Sequence, residues 1–139
     1  MKLQRISDQG GSLDDYYTDD LSGFHPSWGE PIERVKKLLR HLEQNVDGPP
    51  QWVTFSHGIR FYLSEEDDWR PEKARVFIDL TRQGYKIRYR SAQELHFWNS
   101  FTTLEAQNEV EAGFMILNAL QLAERNLPSR DEASFRTPR

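Results

Sequence analysis

Four carboxylates in a row, Glu65, Glu66, Asp67 and Asp68, are where this chain comes nearest to acid–base chemistry. A hydrolase needs two such groups, one protonated and one ionised. Raising a carboxyl pKa takes burial, however, and four in succession within "SEEDDWRPEK" point in several directions into water. No catalytic residue is assigned there. As calcium ligands the same groups lack the alternating pattern and mid-loop glycine of an EF-hand, and no metal is expected. His25, His41, His57 and His96 fall in four different segments, with no pair at the spacing of a zinc-protease signature. "SHG" lacks the glycines that flank a nucleophile elbow. Gly10-Gly11 has no preceding strand to make it a phosphate loop, so no cofactor is expected either. The chain has no cysteine, hence no thiolate and no disulfide, which fits a reducing cytoplasm.

What the carboxylates share is aromatic company. Asp14, Asp15, Asp19 and Asp20 frame Tyr16 and Tyr17, and Glu65 to Asp68 run into Trp69. Aromatic side chains anchor protein interfaces, and charges around them steer an oppositely charged partner. These eleven residues are the expected partner-binding set, and the expected partner is a cationic protein. A nuclease active site is one such target, because a row of carboxylates can occupy places that phosphates fill. The plainer reading is a solubilising acidic arm whose tyrosines pack back on the core. A second candidate surface is basic: Arg75, Phe77, Lys86, Arg88 and Arg90 alternate along two strands, with a ring to stack a base and cations to meet phosphates. The formal charge of −4 weighs against nucleic acid.

The elements that must position these residues follow from periodicity. Length, 139 residues, suits one domain, and 12% aromatic residues can fill a core. Residues 1–23 carry two basic residues against five acidic ones around Gly10-Gly11 and are expected to be an N-terminal arm. Pro31 opens a helix, and Ile32, Val35, Leu38, Leu39, Leu42 and Val46 make one apolar stripe that stops at Gly48-Pro49-Pro50. "QWVTFSHGIRFYL" predicts a hairpin turning at His57-Gly58. A two-residue loop pairs Thr54 with Phe61. One extra loop residue pairs Phe55 with Ile59 and Val53 with Phe61, which matches apolar residues better. In "RVFIDLTRQGYKIRYR", a turn at Gln83-Gly84 pairs Leu80 with Ile87 and Ile78 with Tyr89, leaving Asp79 opposite Arg88 and Thr81 opposite Lys86.

Thr102 and Glu105 have capping-box spacing for a final helix, with Leu104, Val110, Phe114, Leu117 and Leu120 on its stripe and an end near Leu127-Pro128. The expected fold is therefore α+β: a two-layer sandwich with a four-stranded antiparallel sheet of two hairpins and an N-terminal and a C-terminal helix packed on one face. The domain spans 24–127 and residues 128–139 form a tail. No window approaches the roughly 18 apolar residues of a membrane span, and the first residues lack a signal peptide's apolar run. Cytoplasmic localisation is expected, as a monomer or, through an open sheet edge, a homodimer.

A compact acidic chain without cysteines, built of a helix, the "VFIDLTRQGYKIRYR" hairpin and the terminal "TTLEAQNEVEAGFMILNALQLAE" helix, resembles bacterial immunity proteins of polymorphic-toxin systems. The likeness covers roughly residues 28–127, in length and layout. It implies a non-catalytic inhibitor, an antitoxin that binds one toxin tightly and blocks its active site or a required contact.

Overall fold

The computed structural model describes residues 1–18, 29–56, 59–90 and 101–126. The fold is α+β. Its strands are β1 (Leu3–Arg5), β2 (Gln51–Ser56), β3 (Arg60–Ser64), β4 (Val76–Leu80), β5 (Tyr85–Arg90) and β6 (Phe101–Ala106), and its helices are α1 (Leu13–Thr18), α2 (Gly29–Asn45) and α3 (Glu109–Asn126). The strands form one open sheet in the order β1-β2-β3-β4-β5-β6. It has six strands where the sequence predicts four, and it is mixed, because β1 runs parallel to β2 while all other pairs are antiparallel. No described helix is long and apolar enough to cross a membrane.

α2 forms as its spacing predicts: Ile32, Val35, Leu38, Leu39 and Leu42 are all buried, at the three- and four-residue intervals that place them on one side of a helix. Val35, Leu38, Leu39 and Leu42 pack with Val53, Phe55, Phe61, Leu63, Val76, Ile78 and Ile87, every second residue of the central strands.

Residues 1–18, the described part of the expected arm, pack into the domain. Leu3, Ile6, Leu13 and Tyr16 are buried among the charges that dominate the composition of this segment. β1 lines the edge of β2, with Gln51 N donating to Lys2 O at 3.0 Å and Ile6 N to Val53 O at 3.1 Å. Gln9 then continues the ladder with its side chain: its amide donates to Phe55 O at 2.6 Å and accepts from Phe55 N at 2.9 Å. The edge that β2 would otherwise expose is thereby paired. Gly10 and Gly11 hold φ values of 69° and 71°, so the pair is a left-handed turn into α1. Residues 19–28 lie outside the described set, as does 127–139 with the expected tail.

Both hairpins adopt a register different from the one predicted. In the first, Phe55 faces Phe61, Val53 faces Leu63 and Ser56 faces Arg60, so Ile59 falls within the turn. In the second, Ile78 faces Ile87, Leu80 faces Tyr85 and Val76 faces Tyr89, with Asp79 opposite Lys86 and Phe77 opposite Arg88. The physical reason is common to both. Sliding one strand by two residues leaves each side chain on its own face, so apolar alternation fixes the face and not the partner.

Tertiary contacts choose the partner in the second case. Gly84 accepts a hydrogen bond on its carbonyl from the Arg34 guanidinium, and Tyr85 Oη donates to Arg34 O at 2.9 Å, tying the turn to α2. Thr81 N donates to Gly84 O at 2.9 Å, and Gly84 N to Thr81 Oγ1 at 2.9 Å, closing the loop.

β6 and α3 correct the reading of the C-terminal half. Thr102, Leu104 and Ala106 face inward from a strand, Leu104 lying opposite Ile87. The capping box belongs to Asn108 and Glu111: Glu111 N donates to Asn108 Oδ1 at 2.9 Å, and Gln107 N to the Glu111 carboxylate at 2.8 Å. α3 accordingly starts later and turns a different side inward, burying Ala112, Ile116, Ala119 and Leu120 while Val110 and Phe114 stand 62% and 69% exposed.

Gly84 is the point at which this packing tolerates least. A Cβ there would sit 1.9 Å from Ala106 O on β6. Gly84→Ala is expected to lower stability by about 1–3 kcal/mol, the usual cost of overpacking, visible as an earlier urea midpoint. An unchanged midpoint would show that the β5–β6 approach is looser than described.

Candidate functional site

With the three described helices on one side, the alternate residues of β2 to β6 lie on the other. They are Trp52, Thr54 and Ser56 on β2, Arg60, Tyr62 and Ser64 on β3, Phe77 and Asp79 on β4, Lys86, Arg88 and Arg90 on β5, and Phe101, Thr103 and Glu105 on β6. Arg75 precedes β4 and joins them, held by its N–H on Leu63 O at 2.8 Å. The basic residues expected to share a face, Arg75, Lys86, Arg88 and Arg90, do share it with Phe77. Trp52, Arg60, Tyr62 and Phe101 also belong to it and were not anticipated. The alternation of "RFYLS" placed Tyr62 there in principle. Phe101 was hidden because the sequence around it reads as the start of a helix.

The rings on this face touch. Phe77 lies 5.4 Å from Tyr62, tilted by 44°, and 5.6 Å from Phe101 in an edge-on arrangement of 86°. Arginine guanidiniums lie over them, with Arg88 Cζ 5.6 Å from the Phe77 centroid and 5.5 Å from Phe101, and Arg90 Cζ 5.8 Å from Phe101. Asp79 holds two of the cations at once, Arg60 at 3.1 Å and Arg88 at 3.2 Å. Arg75 Nη1, Arg88 Nε and Arg90 Nε are buried with no acceptor among the described residues.

The acidic loop folds along one border of this face and is tied to it. Tyr62 Oη donates to Trp69 O, Arg90 Nη1 donates to Glu72 O at 3.2 Å, and Arg75 pairs with Glu65 at 2.9 Å. Burial of the Tyr62 ring raises its phenol pKa above 10.0 and keeps it a donor. Trp69 itself is 53% exposed. The two surfaces that the sequence offers as rivals are therefore neighbours.

The carboxylates of that loop are engaged within the chain. Glu65 meets Arg75, and Glu66 meets Lys73 at 3.6 Å. Asp67 accepts from both the N–H and the hydroxyl of Ser7, the N–H at 2.8 Å. Asp68 is forked by Arg70, whose Nη2 lies 2.6 Å away and whose hydrogen bonds hold the Asp68 carboxyl down at about 2. An acid so strong serves as an anion and not as a proton donor.

The other acidic cluster disperses. Asp15 caps α1, accepting from Ser12 N at 2.7 Å, while Ser12 Oγ accepts from Asp15 N at 3.1 Å. Asp14 is exposed. Tyr16 is 2% exposed and stacks on Phe55 at 4.1 Å and 19°, which removes it from the expected set of partner anchors. The cause is α1, a short helix whose inward side takes Leu13 and Tyr16 together. Tyr17 is half-buried, donating to the Glu43 carboxylate beneath the Arg40 guanidinium at 4.8 Å. Asp19 and Asp20 lie outside the described residues, as do His25, His57 and His96. His41 sits on α2 with its Nδ1 3.3 Å from Asn45 Nδ2. Among the described residues no three His, Asp or Glu side chains are grouped to hold a metal ion.

Comparison with protein-family models, with curated proteins and with solved structures finds no match for this chain.

Two predictions separate the structural tyrosines from the exposed tryptophan. Tyr16→Ala is expected to cost about 3–5 kcal/mol, as for other large buried rings, and Trp69→Ala under about 1 kcal/mol, both from urea unfolding. Equal costs would contradict the assignment. Burial raises the phenol pKa of Tyr16 and Tyr17 above 10.0. A raised pKa contributes stability that is full below 10.0 and is lost as the unfolded phenols ionise above it. Unfolding free energy should therefore fall between about pH 10 and about pH 11, less steeply in Tyr17→Phe. A flat profile over that range would contradict the burial of both hydroxyls.

Proposed function

We propose that the protein is a non-catalytic protein-binding module, of the kind an immunity or inhibitor protein represents, and that its partner docks on the outer face of the sheet. One observation carries this reading. Trp69, more than half exposed, borders a connected cluster of Tyr62, Phe77, Phe101, Arg88 and Arg90 on a face that no described helix covers. Tryptophan, tyrosine and arginine are the residues that most often dominate interface energetics, and they do so where a ring of neighbours excludes water. The cluster is also held in place before any partner arrives, through the Tyr62–Trp69 and Arg90–Glu72 hydrogen bonds, which reduces the entropy lost on docking.

The expectation that clustered carboxylates steer a cationic toxin now has less to support it. Glu65 to Asp68 are neutralised or hydrogen-bonded within the chain, so recognition in this proposal runs through rings and arginines. The absence of cysteine fits work in a reducing cytoplasm.

A second reading, single-stranded nucleic acid, draws support from the placing of Arg75, Phe77, Lys86, Arg88 and Arg90 on one face. Against it, the protein's own Arg88 guanidinium lies over the Phe77 and Phe101 rings, 5.6 and 5.5 Å from their centroids, where it competes with an incoming base.

The test is affinity capture from cells that express the protein, comparing wild type with Trp69→Ala and with Asp14→Asn as a control on the opposite side. At least one protein should be retained by wild type and by the control, and fall by about tenfold or more in Trp69→Ala. Identical retention by all three would end the proposal. Loss of nucleic acid alone would transfer support to the second reading.

A further inference from the structure

We infer that the surface with which the partner meets the outer sheet face is acidic, an aspartate- or glutamate-bearing protein segment. This inference rests on the docking face proposed above and adds the sign of the charge it selects.

The chain as a whole carries −4, yet this face has the opposite balance. Arg60, Arg75, Lys86, Arg88 and Arg90 stand on it, against Asp79 and Glu105, while the carboxylates of the bordering loop, Glu65, Glu66, Asp67 and Asp68, are taken up by Arg75, Lys73, Ser7 and Arg70. Asp79 is divided between Arg60 and Arg88, so a single carboxylate serves two guanidiniums. Arg90 finds a backbone carbonyl and, among the described residues, no carboxylate. Each guanidinium is held on one side, Arg75 by Glu65, Arg88 by Asp79 and Arg90 by Glu72 O, which sets the remaining donors in a defined array. Guanidinium forks match carboxylates in shape as well as in charge.

Two other occupants fit less well. A second copy of the chain, docked face to face about a twofold axis, would bring one net positive surface against another. A polynucleotide would need ring planes on which to stack its bases, and the Arg88 and Arg90 guanidiniums already lie over Phe77 and Phe101. An acidic peptide surface asks only for the guanidinium edges and for an apolar contact at Trp69.

The arginine Nε–H resonances of the isotopically labelled full-length protein give a direct readout. Poly-L-glutamate, poly-L-lysine and a single-stranded oligo-thymidine are titrated separately. Poly-L-glutamate is expected to shift the Arg75, Arg88 and Arg90 signals in a salt-sensitive manner, with poly-L-lysine leaving them unmoved. The apparent affinity should fall by about tenfold in the Arg88→Gln, Arg90→Gln double variant and rise several-fold in Asp79→Asn, which frees two cations without deleting a ring contact. The inference is overturned if poly-L-glutamate leaves these resonances in place, if Asp79→Asn weakens the interaction, or if oligo-thymidine shifts the same signals at lower concentration. Its failure is distinguishable from failure of the docking face. A partner captured through Trp69 whose retention ignores salt and the arginine substitutions would leave the face standing and remove the sign.

Discussion

Side chains on a β-strand point alternately to its two sides, and in this molecule one side is taken. α1, α2 and α3 cover the face that carries Val53, Phe61, Leu63, Val76, Ile78 and Ile87, so every other residue of β2 to β6 has nowhere to go but the opposite face. The rings and the five cations on that face, four arginines and Lys86, follow from this constraint once the inward residues are apolar. Tyr62, Phe77, Arg88, Arg90 and Phe101 belong to four neighbouring strands, β3 to β6, and are brought together by strand pairing. The cluster thus inherits the rigidity of the sheet, a better platform for recognition than a loop would be.

The loop between β3 and β4 adds an edge to this platform. Its acidic residues look like a docking surface when read as a string. In the folded chain they act as ties: Glu65 to Arg75, Asp67 to Ser7, Asp68 to Arg70. Exposed pairs of this sort contribute little to stability singly. Their effect is geometric, fixing the loop so that the Trp69 ring is left outward beside Tyr62. The Ser7–Asp67 contact also links the loop to the N-terminal segment, so the edge strand, the acidic loop and the outer face form one continuous unit.

Much of this was legible in the sequence, and what was not has physical reasons. The stripe of α2 spoke plainly because five large aliphatic residues at helical intervals admit one arrangement. Face assignment in β4 and β5 was equally plain, since Ile78 and Leu80, like Ile87 and Tyr89, alternate with charged residues. Register escaped because a two-residue slip preserves that alternation, and the choice depends on Arg34 and Ala106, which are distant in the chain. β1 escaped because Leu3 and Ile6 are few among charged neighbours and three strand residues give too short a pattern. The strand at Phe101–Ala106 was obscured by Thr102 and Glu105, whose spacing mimics the cap that Asn108 and Glu111 supply. Tyr16 shows the same limit from the other side: between aspartates it looks exposed, and only the one-turn geometry of α1 turns it inward onto Phe55.

The central claim is that recognition happens on the outer sheet face, beside Trp69. Placing a photo-crosslinking phenylalanine analogue at position 69, or instead at position 14 on α1, and irradiating living cells tests it most directly. The account predicts a discrete crosslinked protein from position 69 and none from position 14. A product from position 14 alone would contradict it and return the acidic N-terminal segment to the role of binding surface.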